Sequence, residues 1–265
     1  RAALNNAQKI KQNSDEIVDS IVADDIGKLP DRSVTEVLQR IVGVSIDRTM
    51  SKGDPEHFSV EGSGVTVRGL TYVRSELNGR DSFSANGGRS LNFEDVPPEL
   101  MAGVDVYKNP SAEQIEGSIG GLVNLRTAMP FDFKGRKIAA SAESTYSTLK
   151  KGKMSPGGSI LLSDRWKTGI GEFGALVDFA SSKSVVRTDA FQVEPYYPRT
   201  IDGRQVFIPK GAQWRTLMFD RKREGQYGAF QWKLNNDFRT SLTYFKSKYK
   251  MKWDENAIFA QSEPY

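Results

Sequence analysis

The sequence predicts a two-part fold: an α+β domain in the first half, then long antiparallel β-strands in the second. Three observations carry this. Residues 1–133 hold a clearly capped helix among short strand signals. Residues 134–265 hold long stretches that alternate apolar and polar at period two. The texture changes at Pro130-Phe131-Asp132-Phe133-Lys134-Gly135.

The helix is signalled from both ends. Ser33 can cap it, with Glu36 at the capping-box position. Val34, Val37, Leu38 and Ile41 follow at helical spacing, and Gly43 provides the stop. Asp24 to Pro30 reads as the connection into it, and an earlier helix covers Ala2 to Lys11. Short strands are predicted at Val44–Asp47, Gly64–Arg68, Val73–Leu77, Val104–Tyr107 and Gly121–Arg126. Asn78-Gly79, Asn86-Gly87-Gly88 and Asn109-Pro110 supply turns between them. Pro97-Pro98 before Glu99-Leu100-Met101 predicts a short helix opened by proline.

In the second half, Ile138, Ala140, Ala142 and Tyr146 share one face of a strand from Lys137 to Leu149. Phe173, Ala175, Val177 and Phe179 do so between Gly171 and Lys183. Phe230, Trp232 and Leu234 mark a third strand, from Arg223 to Leu234. In a fourth, Phe238 to Trp253, the later part sets Phe245, Tyr249, Met251 and Trp253 against Lys246, Lys248, Lys250 and Lys252. Its earlier part puts Leu242 and Tyr244 on the lysine side, which predicts a bulge near Phe245. These strands run to about 12–16 residues, against about 5–6 in soluble proteins. Asn235-Asn236-Asp237 is a tight turn, while Ser184 to Arg221 reads as a long polar loop dotted with Pro195, Pro198 and Pro209. Short turns at one end and long loops at the other suit a membrane barrel. The alternation alone also fits a soluble β-sandwich or barrel with one wet face.

Composition removes several function classes. Basic and acidic residues, 37 and 33, are interspersed and leave a net charge of +4, so the chain lacks the concentrated basic patch of a nucleic-acid binder. With no cysteine and a single histidine, His57, neither a disulfide nor a zinc site is expected, and no cofactor is implied. No apolar run approaches the ~18 residues of a spanning helix, which leaves a β-barrel open. A Ser-His-Asp triad would have to use His57, and no nucleophile-elbow motif accompanies it. Gly62-Ser63-Gly64 lacks the Lys-Ser ending of a phosphate loop. An enzyme is not expected.

Several segments, in order, resemble one family. They are Asn13 to Pro30, the helix Val34–Ile41 with Gly43-Val44-Ser45-Ile46, Val67-Arg68-Gly69-Leu70, Leu77-Asn78-Gly79-Arg80, Val104-Asp105-Val106-Tyr107-Lys108, and Ile115 through Gly120-Gly121 to Thr127. Together they resemble the plug of TonB-dependent outer-membrane receptors, nearest to the class common in Xanthomonas- and Caulobacter-type bacteria. The resemblance implies an α+β plug domain at 1–133, followed at 134–265 by the N-terminal antiparallel strands of a transmembrane β-barrel. In the family that barrel has roughly 22 strands and a plugged lumen.

The resemblance further implies localisation in the outer membrane and contact with its lipid. It implies active import of a small nutrient, with TonB, ExbB and ExbD as partners acting through an N-terminal box expected just before Arg1. About five barrel strands are expected here, so the chain is expected to stop short of a closed wall. Arg68 and Arg126 match plug arginines that pair with barrel glutamates, here expected beyond Tyr265. Gly117, Gly120 and Gly121 would allow tight packing where plug meets wall. Substrate contacts are expected from plug loops: Arg80, Asp81, Ser82, Phe83, Asn86, Arg89 and Asn92 in one, and Arg48 to Phe58, including His57, in another. The class resemblance points to an oligosaccharide as cargo, with a ferric siderophore as the alternative. A β-rich glycan-binding module without transport is the competing class.

Overall fold

The computed structural model describes residues 2–22, 33–51, 54–58, 61–82 and 91–261. It is mostly strand, with few helices. Helix α1 (Ala2–Asn13) precedes β1 (Val18–Val22), and helix α2 (Val34–Leu38) follows. Ser33 caps α2 as its sequence predicts: the Glu36 amide donates to Ser33 Oγ at 3.3 Å. The chain leaves this helix through Gly43 at φ +77°, where a residue without Cβ is favoured.

After α2 come β2 (Val44–Asp47), β3 (Thr49–Ser51), β4 (Asp54–Phe58), β5 (Gly64–Val67), β6 (Val73–Leu77) and β7 (Arg80–Asp81). β8 (Met101–Tyr107) and β9 (Gly121–Thr127) complete the first half. Five strands form a sheet in the order β1-β8-β9-β6-β7, antiparallel except for the parallel pair β6–β9. Val37 and Leu38 of α2, Val104 and Val106 of β8, and Val123 and Leu125 of β9 share a dry core. Burying each such side chain contributes about 1.5–3 kcal/mol.

Several expectations meet their elements here. The Pro97-Pro98 segment forms a 3-10 turn at Pro98–Leu100. Asn78 and Gly79 take φ of +53° and +72° and close the β6–β7 hairpin. The strand expected over Gly64–Arg68 ends at Val67, because Arg68 turns into the left-handed region at φ +53°. Within the segment Arg48 to Phe58, expected as a loop, strands β3 and β4 pair antiparallel. Strand β1 was not expected. It adds to the sheet edge with Val18 buried and the rest half-exposed, so it carries little apolar pattern.

The second half is one antiparallel meander, β10-β11-β12-β15-β16. Its strands are β10 (Lys137–Ser147), β11 (Lys153–Thr168), β12 (Gly171–Val193), β15 (Gly211–Lys233) and β16 (Arg239–Gln261). Between β12 and β15 sits a hairpin of β13 (Tyr196–Ile201) and β14 (Arg204–Pro209). Two expectations are corrected. The supposed loop from Ser184 to Arg221 is mostly strand: β12 and β15 pair without interruption from Glu172↔Lys233 to Val193↔Ala212. Its prolines are accommodated because Pro195 lies between strands, and Pro198 and Pro209 lie in a hairpin that pairs only with itself.

The bulge near Phe245 is also absent. β16 pairs with β15 in unbroken register through Tyr227↔Phe245. Leu242, Tyr244 and the four lysines therefore do share one outer face, and it is the face that changes character along the strand. Phe245, Ser247, Tyr249 and Met251 point the other way and are half-buried.

One face of this sheet packs on the first half; Leu176, Ala180, Tyr227 and Ala229 join the same core as α2 and β8. The opposite face exposes Ile138, Ile160, Leu162, Val177, Phe179, Phe230 and Leu242. Along its short-turn end runs a row of rings: Trp166 to Phe173 at 6.2 Å, Phe173 to Trp232 at 5.9 Å and Trp232 to Phe238 at 5.6 Å between centroids. An apolar outer band edged by aromatics is the pattern of a lipid-facing barrel wall.

Candidate functional site: the seam between plug and wall

The inner face of β15 meets the first half at every second residue. Near the short turns, Gln231 Oε1 accepts from the Phe131 amide at 2.9 Å, and Tyr227 Oη donates to Met129 Sδ at 3.3 Å. Arg165 of β11 donates to the Phe131 carbonyl at 3.3 Å and is oriented by Glu172 at 2.6 Å. Two glycines let the backbones close. A Cβ on Gly174 would lie 2.6 Å from Pro130 Cβ, and one on Gly225 would lie 2.8 Å from Pro97 Cγ. On β16, Ser247 Oγ donates to the Asp95 carbonyl at 2.5 Å.

Further along β15 the seam carries charge. Arg221 Nη1 lies 3.1 Å from Glu61 Oε2, and Arg223 Nη2 contacts the same oxygen. Glu61 and Arg223 are 1% and 2% exposed, so the cluster excludes water. Arg223 Nε also donates to the Glu94 carbonyl at 2.5 Å, and its guanidinium covers the Tyr249 ring at 4.9 Å. Arg221 covers Phe219 at 4.8 Å. Burial works to raise the Glu61 pKa, but the fields of Arg223 and Arg221 and their hydrogen bonds outweigh it and hold the carboxyl below its usual value. Glu99, facing the same wall, goes the other way. Burial raises it and the Glu143 charge adds to that, against a backbone hydrogen bond and Arg223 that lower it.

A buried charge cluster of this kind specifies register more than it adds net stability. It can fasten one body to another while leaving a route to release, because the charged groups regain hydration once separated. The sequence pattern does not single it out. Alternation places Arg221 and Arg223 on one face and Lys222 on the other, a signal split between the end of the supposed loop at Arg221 and the start of the predicted strand at Arg223. Glu61 gave no signal of its own.

The sequence-derived candidates fall in several places. Arg126 belongs to an ion pair within the sheet: its Nε lies 2.5 Å from Asp105 Oδ2, and Asp105 also accepts from Ser20. Arg68 is exposed at the turn after β5. Arg80 and Asp81 form the exposed strand β7, with Asp81 2.7 Å from Arg74 Nη2. Ser82 follows, half-buried, and Asn92 precedes the buried Phe93. His57 lies on β4. Phe83, Asn86 and Arg89 lie outside the described residues. Of the three glycines, Gly120 and Gly121 pack against Tyr72, Leu70 and Val67 of the plug itself, and Gly117 faces Arg74, so none of them lines the wall. A cleft of about 270 Å³ between Ser63, Thr66, Val73, Ser75 and Phe93 lies near Asn92. It falls below the ~300–1,000 Å³ of a drug-sized pocket and could hold only part of a larger ligand.

Comparison with known proteins agrees with this geometry. Residues 10–122 match the family TonB-dependent Receptor Plug Domain. No curated protein sequence matches the chain. Among solved structures, the chain is similar to the unliganded ferric citrate transporter FecA, at 17% identity and a TM-score of 0.51, covering 92% of this chain and 41% of that one. It is also similar to a mutant of the ferric enterobactin receptor PfeA from Pseudomonas aeruginosa, at 15% identity and a TM-score of 0.51, covering 91% and 42%. The chain thus spans less than half the length of these proteins.

Residues 10–122 thus match the plug domain of TonB-dependent receptors, and antiparallel strands follow it as in the partial barrels of these structures. Proteins that carry this plug domain are outer-membrane receptors and transporters rather than enzymes.

Proposed function

We propose that this chain serves TonB-dependent import of a nutrient across the outer membrane, with residues 1–133 as the plug and residues 134–265 as part of the wall. The observation that carries the reading is the buried cluster of Glu61, Arg221 and Arg223. It holds the plug against the wall with contacts that must be broken to open a path, which calls for an external energy source. TonB, working with ExbB and ExbD through an N-terminal box, supplies that work.

Arg80, Asp81, Ser82, Phe83, Asn86, Arg89, Asn92 and His57 are proposed to contact the cargo. Their mixture of amide, charged and aromatic groups suits a polar ligand. Arg68 and Arg126 are proposed as plug partners of wall glutamates, with Asp105 fixing the Arg126 guanidinium.

The cargo proposed is an oligosaccharide, as the class resemblance implies. A ferric chelate is the second reading, favoured by the cargoes named for FecA and PfeA. Growth of a deletion strain on single oligosaccharides and under iron limitation, with and without TonB, tests both. Loss of growth on one oligosaccharide, dependent on TonB, supports the first reading. A defect confined to iron starvation overturns it in favour of the second. Normal growth under every condition overturns import itself.

A further inference from the structure

The outer face of the sheet carries a patch that plug docking does not use. From Gly171 to Phe179 on β12 this face is apolar over about 26 Å of strand, roughly the height of an outer-membrane apolar band. Immediately beyond it the face turns cationic. Lys246, Lys248, Lys250 and Lys252 succeed one another on β16, all exposed. Lys183 and Lys222 are exposed on β12 and β15.

Register makes the patch dense. Lys183, Lys222 and Lys250 stand directly opposite one another across three strands. Neighbouring strands are about 4.8 Å apart, and like charges facing each other at that spacing destabilise a sheet. Three carboxylates share or border the patch: Glu224, opposite Lys248 and bonded to Lys222 at 2.5 Å, Asp220, opposite Lys252, and the exposed Asp254 two residues after Lys252. Six lysines therefore meet three acids, and Lys246 stands opposite the neutral Gln226.

The position identifies the occupant. The turns Thr168–Gly171 and Lys233–Arg239 lie at the other end of the strands, so the lysines belong to the side that carries the long β12–β15 connection, and long loops face outward in such barrels. Lysine stems can lie along the edge of the apolar band while their ammonium groups reach the headgroup layer. We propose that this lysine ladder binds the phosphate groups of phosphorylated glycolipid in the outer leaflet. One phosphate can bridge two facing ammonium groups and relieve the repulsion in the Lys183-Lys222-Lys250 row. The inference rests on the outer-membrane location and is independent of cargo.

The test uses the full-length receptor purified from outer membranes, with bound lipid read by native mass spectrometry. The probes are bis-phosphorylated lipid A, its dephosphorylated form, and inorganic phosphate as competitor. The wild type is expected to retain the phosphorylated form. The quadruple variant K246Q/K248Q/K250Q/K252Q is expected to lose at least about tenfold, and Lys250→Gln alone about fivefold, as suits lysines at a charged surface. The four matching arginine substitutions are expected to retain lipid to within about twofold, since charge is kept. Wild-type retention by both glutamine variants overturns the proposal. So does equal retention of dephosphorylated lipid, or displacement by millimolar inorganic phosphate, which would mark a free-phosphate site.

Discussion

Glu61 of the plug and Arg221 of the wall meet at 3.1 Å with side chains 1% and 3% exposed, and Arg223 shares the same carboxylate oxygen. One acid thus answers two guanidinium groups across the boundary between two bodies. Removing the acid deprives both buried cations of this shared counter-charge. Glu61→Gln is expected to destabilise the assembly by about 3–5 kcal/mol. The check is thermal unfolding of the full-length receptor in detergent, alongside protease sensitivity of the plug. Replacing all three together, Glu61→Leu with Arg221→Met and Arg223→Met, is expected to restore most of that stability, because an apolar cluster of similar volume needs no counter-charge.

The two plug acids at the seam give opposite pH signatures. Glu61 is held below its unfolded value, so its contribution is present above the ordinary glutamate range and is lost as pH falls through its lowered pKa. Glu99 is held above its unfolded value, so its contribution is present below the ordinary range and is lost as pH rises through its raised pKa. Melting temperature against pH should therefore fall less steeply on the acid side in Glu61→Gln and lose less on raising pH above the ordinary range in Glu99→Gln. A wild-type profile in either variant contradicts the assignment.

Close approach at Gly225 sets a steric limit. A methyl there would meet Pro97 Cγ at 2.8 Å and the buried Leu100. Gly225→Ala is expected to cost about 1–3 kcal/mol by overpacking. Gly135, whose Cβ would have nothing within 4 Å, provides the control: Gly135→Ala is expected to leave the melting temperature unchanged within about 0.5 kcal/mol equivalent.

The capping contact of α2 is testable on its own. Ser33→Ala removes the acceptor for the Glu36 amide in a fully buried setting. A loss of about 0.5–2 kcal/mol is expected, measured by chemical denaturation. Ser33→Asp, which keeps an acceptor, is expected to lose less.

What the sequence disclosed follows from what is local. The Ser33–Glu36 cap, the Asn78-Gly79 turn and the Pro97-Pro98 turn depend on a few adjacent residues, and each stands where its pattern placed it. Strand β11 escaped notice because Pro156, Gly157 and Gly158 interrupt its alternation, and its pairing with β10 and β12 overrides that local weakness. The Asp202-Gly203 pair, both at positive φ, was a hairpin signal inside the supposed loop. The Phe238–Trp253 segment looked like a register fault because one outer face crosses from an apolar to a cationic setting. Glu61 was illegible for a different reason. Its role depends on guanidinium groups about 160 positions away, and nothing near Gly62-Ser63-Gly64 hints at them.

The inner residues of β15 touch the plug at Arg221, Arg223, Gly225, Tyr227 and Gln231, a line about 33 Å long on a single strand. Such a line has a mechanical direction. A pull on the plug parallel to β15 loads all these contacts together, in shear, and they resist as a group. A pull across the strand loads them one after another from one end, as a strip is peeled. The force needed to move the plug therefore depends on the angle at which it is applied, and the same few contacts can be a lock in one direction and a latch in another.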